Sequence, residues 1–181
     1  KNLHAVKKHF TGVYLQWLWV LRFDFTGLGS SGGEFENTNF STNIEDLKRS
    51  ADFLEKEHQA SKLLVGHSFG GAAVLKAAGQ IESVEAVATI GAPSSPDHVR
   101  HLFQVKLEAI KEDGAAEVNI GGRPFSVKKQ FLDDIDQVNL QEHIHQLRKP
   151  LLVMHSPQDQ IENIQNAREI YESAMHPKAS F

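Results

Sequence analysis

The stretch Leu63 to Leu75, LLVGHSFGGAAVL, constrains this chain more than any other. Its apolar start reads as a short buried strand over 62–66, and the small apolar residues from Ala72 to Ala78, closed by Gly79, read as a helix. Between them Gly66-His67-Ser68-Phe69-Gly70 spells G-x-S-x-G in the strand-to-helix setting that this motif requires. A serine on so tight a turn is held in a strained conformation with its hydroxyl at the carboxyl edge of the sheet. Its neighbours two residues away on each side must be glycine or similarly small to avoid collision. A serine hydroxyl is a poor nucleophile by itself, so Ser68 calls for a histidine base that is oriented in turn by a carboxylate. The Phe69 N–H, at the positive end of the following helix, is placed where an oxyanion would develop.

The elements around this turn alternate. Thr42 with Glu45 three residues on forms a capping box, and the stripe Ile44, Leu47, Ala51 and Leu54 predicts an amphipathic helix over about 43–58. VEAVATIGAP (84–93) reads as a strand, PLLVMHSPQD (150–159) as another, and Ile161, Ile164, Ala167, Ile170, Tyr171 and Ala174 as the face of a last helix. Alternating strands and helices predict a parallel sheet wrapped by helices. The rhythm breaks over 94–149, where Ser94 and Asp97 suit the start of a helix ending near Gly114. EVNIGGRPFSV then reads as a hairpin about Gly121-Gly122, and two short helices follow. This segment is expected as an excursion over the sheet edge. Residues 3–19 have a roughly helical spacing, while Trp17 to Phe25 reads equally well as a strand. The chain starts at Lys1 and ends at Phe181 just as Ala179 opens a strand, so further sequence is expected on both sides.

Length and charge narrow the partners. With 181 residues and 40% hydrophobic content, one domain spanning 1–181 is expected. A net charge of -4 with 19 dispersed Lys and Arg offers no basic field for nucleic acid or anionic lipid. No stretch approaches the roughly 18 apolar residues of a membrane span. The absence of cysteine removes disulfides, thiolate metal sites and a cysteine nucleophile, and suits a cytoplasmic setting. His98 with His101 and His143 with His145 have ligand-like spacing but no carboxylate cluster in sequence, so no metal is expected. Phe103, Leu107 and Ile110 read as packing under the excursion. Arg123 and the Lys128-Lys129 pair read as solvated charge.

RFDFTGLGSSG (22–32) contains a competing motif, because Gly27, Gly29 and Gly32 satisfy G-x-G-x-x-G after an apolar run. In a dinucleotide fold a helix would start at the third glycine, yet GEFENTNF follows and apolar periodicity resumes only at Ile44. The nucleotide reading is therefore disfavoured. VLRFDFTGLGSSGGEF, LLVGHSFGGAAVL, ATIGAP and LLVMHSPQD, in this order, resemble the α/β-hydrolase superfamily. The likeness is greatest to small bacterial hydrolases related to dienelactone hydrolases and esterases. Members of that group often carry a fused OsmC-like domain, and IGGRPFSVKKQFLDD looks specific to it.

The resemblance implies a three-layer α/β/α fold with a mostly parallel sheet, here lacking N-terminal strands and the last strand. It also implies that Asp24, Gly27, Gly29 and Ser31 form a turn at the active-site rim. Catalytic residues follow the order Ser, Asp or Glu, His. Ser68 is then the nucleophile, Phe69 supplies one oxyanion N–H, and Asp159, which follows LLVMHSPQ, matches the acid. Capping of the helix that begins near Ile161 is the other reading of Asp159. The base is expected beyond Phe181. His176 matches a surface turn, His67 should point away from the serine, and His155 suits a buried, hydrogen-bonded histidine. The implied activity is a serine esterase cleaving a small-molecule carboxylic ester through an acyl-serine, with the 94–149 excursion as a lid and without cofactor. A catalytically inert binding scaffold and an acyl-thioesterase are the alternatives.

Overall fold

The computed structural model describes residues 20–120, 123–175 and 177–181. The helical spacing read over 3–19, the hairpin tip Gly121-Gly122 and His176 lie outside them. Four strands form one parallel sheet: β1 (Leu63–His67), β2 (Ala86–Ile90), β5 (Leu151–Met154) and β6 (Lys178–Ser180), in the order β1-β2-β5-β6. The register runs from Leu63 opposite Ala86 to His67 opposite Ile90, and continues with Ile90 opposite Met154. Three strands therefore end level with one another, so the loops that leave them share one rim.

Alternation along the strands sorts the residues by face. Leu64 and Gly66, Val87 and Thr89, and Leu151 and Val153 are buried. Helices cover this face: α1 (Phe40–Glu57), α2 (Phe69–Ala77), α5 (Leu140–Gln146) and α6 (Ile164–Ser173) pack in that order, each on the next. On the opposite face Leu63 and Val65 stay exposed. Phe40, Leu75, Ile135, Ile144 and Ile170 lie at the centre of the helical layer, almost fully buried. Each contributes roughly 1.5–3 kcal/mol relative to an exposed side chain.

Helix α1 starts earlier than the sequence predicts. Asn39, not Thr42, is its N-cap: the Asn39 Oδ1 accepts from the Thr42 N–H at 2.8 Å, and the Thr42 hydroxyl accepts from the Asn39 N–H at 2.9 Å. Threonine takes the part that Glu45 was expected to play, and Glu45 pairs instead with Lys48 at 2.8 Å. Asparagine ranks among the best caps, and the extra turn buries Phe40 completely.

Residues 20–25 do not form the strand that the sequence suggests, and β1 has no strand on its outer side among the described residues. The chain is already turning there. The Leu28 N–H donates to the Phe25 carbonyl, the Ser30 N–H to the Asp24 carboxylate, and the Thr26 N–H and hydroxyl to Asp46 of α1. Gly27 has a φ of +74°, and a Cβ there would stand 2.2 Å from the Phe35 nitrogen. The glycine loop is thus folded against its own chain. After it comes a single 3-10 turn, Phe35–Asn37, and the α-helix begins only at Phe40, already capped by Asn39.

The excursion is anchored in the core. Pro96–Lys106 is a 3-10 helix and not the α-helix expected from Ser94 and Asp97, with α3 (Leu107–Asp113) following to Gly114. Ser94 makes no cap because its hydroxyl is engaged by Asn166 and Glu169. The hairpin β3 (Ala115–Ile120) and β4 (Arg123–Lys128) forms as read, and α4 (Lys129–Asp136) follows it. Lys128 and Lys129 are not merely solvated: Lys128 bridges to Glu36 at 2.8 Å and to Asn37 at 2.7 Å, and Lys129 pairs with Asp133. Asp134 of α4 accepts from the Ser41 N–H and hydroxyl at the start of α1.

Candidate active site

Ser68 lies between β1 and α2 with φ +52° and ψ -130°, one of two non-glycine residues with positive φ among the described residues. Such a conformation costs on the order of 1–3 kcal/mol and persists only where its surroundings enforce it. Here they do: the Ser68 N–H donates to the Ile90 carbonyl at 2.9 Å, and the Gly71 N–H donates to the Ser68 carbonyl at 2.7 Å.

The demand for small residues falls differently from the sequence expectation. A Cβ on Gly66 would stand 2.3 Å from the Gly70 carbonyl oxygen, and one on Gly71 would stand 2.5 Å from the Ala92 Cβ. A Cβ on Gly70 would meet only the Phe25 ring, at an ordinary 3.9 Å. The helix presses on the strand at Gly66 and on the loop after β2 at Gly71, and Gly70 faces a side chain that leaves room. Gly70→Ala is therefore expected to fold with little change in melting temperature. Gly71→Ala is expected to lose about 1–3 kcal/mol through overpacking, read by chemical denaturation of the two variants side by side.

Phe69 is the first residue of α2, so its N–H has no acceptor within the helix. Its ring is clamped between Phe40 at 5.2 Å and Phe131 of α4 at 5.9 Å, centroid to centroid. The excursion thereby touches the residue beside Ser68.

Asp159 follows β5, two strand positions away from Ser68 across the rim. Its Oδ1 accepts from the Ile161 N–H at 2.9 Å and the Glu162 N–H at 3.0 Å, a turn within the loop and not the helix cap that the sequence also allowed: α6 begins only at Ile164, and Asn163 caps it by accepting from the Gln165 N–H at 2.8 Å. Its Oδ2 is turned toward Gly91, just beyond β2, where a Cβ would approach it to 3.1 Å and φ is +54°. Burial opposes ionisation of Asp159. The Glu162 and Ile161 amides, with the charges of His155 and His67, outweigh it and hold the carboxyl below the ordinary range. The group is an anion with one oxygen committed to the backbone and the other at the rim.

His155 is buried, and its Nε2 donates to the Glu162 carbonyl at 2.8 Å. Because a carbonyl only accepts, Nε2 carries a proton. The Nδ1 is buried without a hydrogen-bond partner among the described residues. His67 ends β1 as an exposed residue, on the alternate positions occupied by Leu63 and Val65. The structure thus brings Ser68, Phe69 and Asp159 to one rim and sets His155 beneath it.

Glu162 was not singled out from the sequence. It is only 4% exposed, and burial pushes its carboxyl up against the pull of His98 and His101. An isolated glutamate before a helix reads as surface charge, and nothing local marks it as buried. Two cavities measure about 370 and 350 Å³. One is bordered by Ser95, Asp136 and Asn139, the other by Phe23, Asp46, Arg49 and Phe53, and neither is lined by Ser68 or Asp159.

Comparison with known proteins agrees with this architecture. The α/β hydrolase family matches residues 5–159. The esterase domain of a Rhodothermus marinus protein is 48% identical, with a TM-score of 0.68, over 90% of this chain and 62% of that one. Est1E from Butyrivibrio proteoclasticus, solved with ferulic acid bound, is 18% identical with a TM-score of 0.69, over 87% of this chain and 65% of that one. A structure from the metagenome-derived lipolytic enzymes LipS and LipT is 22% identical with a TM-score of 0.63, over 87% of this chain and 68% of that one. The chain spans less than two thirds of the length of the first two. No curated protein matches it. With the strand-elbow-helix turn, the parallel sheet and a family match over most of its length, the chain belongs to the α/β hydrolase family.

Proposed function

We propose that the protein is a serine esterase that cleaves small carboxylic esters through an acyl-Ser68 intermediate. The observation that carries this reading is the strained Ser68, enforced at a helix N-terminus on the same rim as an ionised Asp159. A histidine that follows Asp159 in the chain, as in the family order, takes the Ser68 proton as the hydroxyl attacks the ester carbonyl. Asp159 orients that imidazole and stabilises it once charged. The Phe69 N–H and the α2 dipole bind the oxyanion. Collapse expels the alcohol with the proton from the imidazolium, and a water, deprotonated by the same base, releases the acid. The excursion, whose Phe131 packs on Phe69, serves as the lid over the acyl group.

Treating the full-length protein with a fluorophosphonate tests the proposal. One covalent adduct, mapped to the peptide that contains Ser68, is the expected result. A protein that stays unlabelled, or is labelled at another residue, overturns the reading and leaves a hydrolase-like binding scaffold.

A further inference from the structure

Three hydrogen-bonding groups of Glu162 are used, two within the loop after β5 and one toward α6. Its N–H donates to Asp159 Oδ1 at 3.0 Å, and its carbonyl accepts from His155 Nε2, just past β5, at 2.8 Å. Its carboxylate Oε2 accepts from Asn166 Nδ2 at 3.3 Å. Asn166, only 2% exposed, passes the connection on: its Oδ1 accepts from the Ser94 N–H and the Ser94 hydroxyl, both at 2.9 Å. Ser94 lies three residues beyond Gly91, against which Asp159 Oδ2 rests.

We propose that Glu162 is a positioning residue for the catalytic acid: its buried side chain, latched through Asn166 to the loop after β2, fixes the backbone N–H that aims Asp159. This inference rests on the esterase reading. Burying a carboxyl is costly, and a residue kept only for packing would avoid that cost with an apolar side chain. The Glu162 carboxylate instead holds Asn166 and faces His98, whose Nδ1 stands 4.0 Å from Oε2. Without it the Asn166 Nδ2 retains only the Asn163 carbonyl, at 3.2 Å, and the residue that carries the Asp159-binding N–H is no longer tied through Asn166 to Ser94. A displacement of about 1 Å at a catalytic group costs as much as 10²-fold in rate.

The test compares wild type, Glu162→Gln and Glu162→Leu in the full-length protein, reading the rate of fluorophosphonate addition to Ser68 and the melting temperature. Glutamine still accepts from Asn166 and should keep the wild-type rate. Leucine, which leaves the Asn166 amide short of an acceptor, should stay folded with a modestly lower melting temperature yet react on the order of 10²-fold more slowly. If leucine is not tolerated, Glu162→Met, unbranched and adaptable, takes its place with the same expectation. An apolar variant that reacts at the wild-type rate, or a glutamine variant slowed as much as the apolar one, overturns the role of Glu162 while leaving the esterase reading intact. A wild-type protein that takes no phosphonate overturns both.

Discussion

Ser68→Ala is expected to abolish fluorophosphonate labelling and ester turnover, a loss on the order of 10⁶-fold where the nucleophile of a triad is removed. Stability should hardly change, because alanine is held at the same φ of +52° and serine makes no side-chain cap to α2. Ser68→Gly sharpens the experiment. Glycine adopts positive φ freely, so this variant should be equally inactive yet more stable than wild type by about 1 kcal/mol. Mass spectrometry of labelled protein and thermal unfolding check the pair. An alanine variant that still takes phosphonate, or one that loses its fold, removes Ser68 from the chemistry assigned to it.

Asp159→Asn separates a triad role from the hold on the loop. Asparagine keeps an Oδ1 that accepts from the Ile161 and Glu162 amides, so the turn survives and the melting temperature should stay close to wild type. The charge is lost, and with it the group that holds the imidazole in its productive tautomer. The expected fall in turnover is about 10⁴-fold, as for the same exchange in other triads. Asp159→Ala additionally removes both of those hydrogen bonds, at a cost of about 1 kcal/mol. An asparagine variant with wild-type turnover leaves Asp159 only its hold on the loop.

The turn at Ser68 was legible because its requirements are local: strand, elbow and helix lie within thirteen residues, from Leu63 to Leu75. The parallel sheet followed from the alternation of elements, and the hairpin from its paired glycines. Helix α1 was found but mis-started, since Thr42 and Glu45 spell a capping box as well as Asn39 and Thr42 do, and only the burial of Phe40 separates them. The stretch after Ser94 failed for a tertiary reason: the hydroxyl that would have capped a helix is used by Asn166, 72 residues away. Glu162 was invisible for the same reason, because its burial arises only when α6 closes against the loop after β2. The glycine requirement was half right. Gly66 is needed as expected, but its partner in close approach is Gly71, outside the motif.

The left-handed conformation of Ser68 has a bearing on attempts to make this protein more robust. Selection for resistance to heat alone would accept glycine at Ser68 and tolerate asparagine at Asp159. Each of these exchanges leaves the architecture untouched. A library screened only for survival would therefore converge on a sturdier molecule with a silent rim, and its winners would have to be sorted by a second screen for reaction with an electrophile.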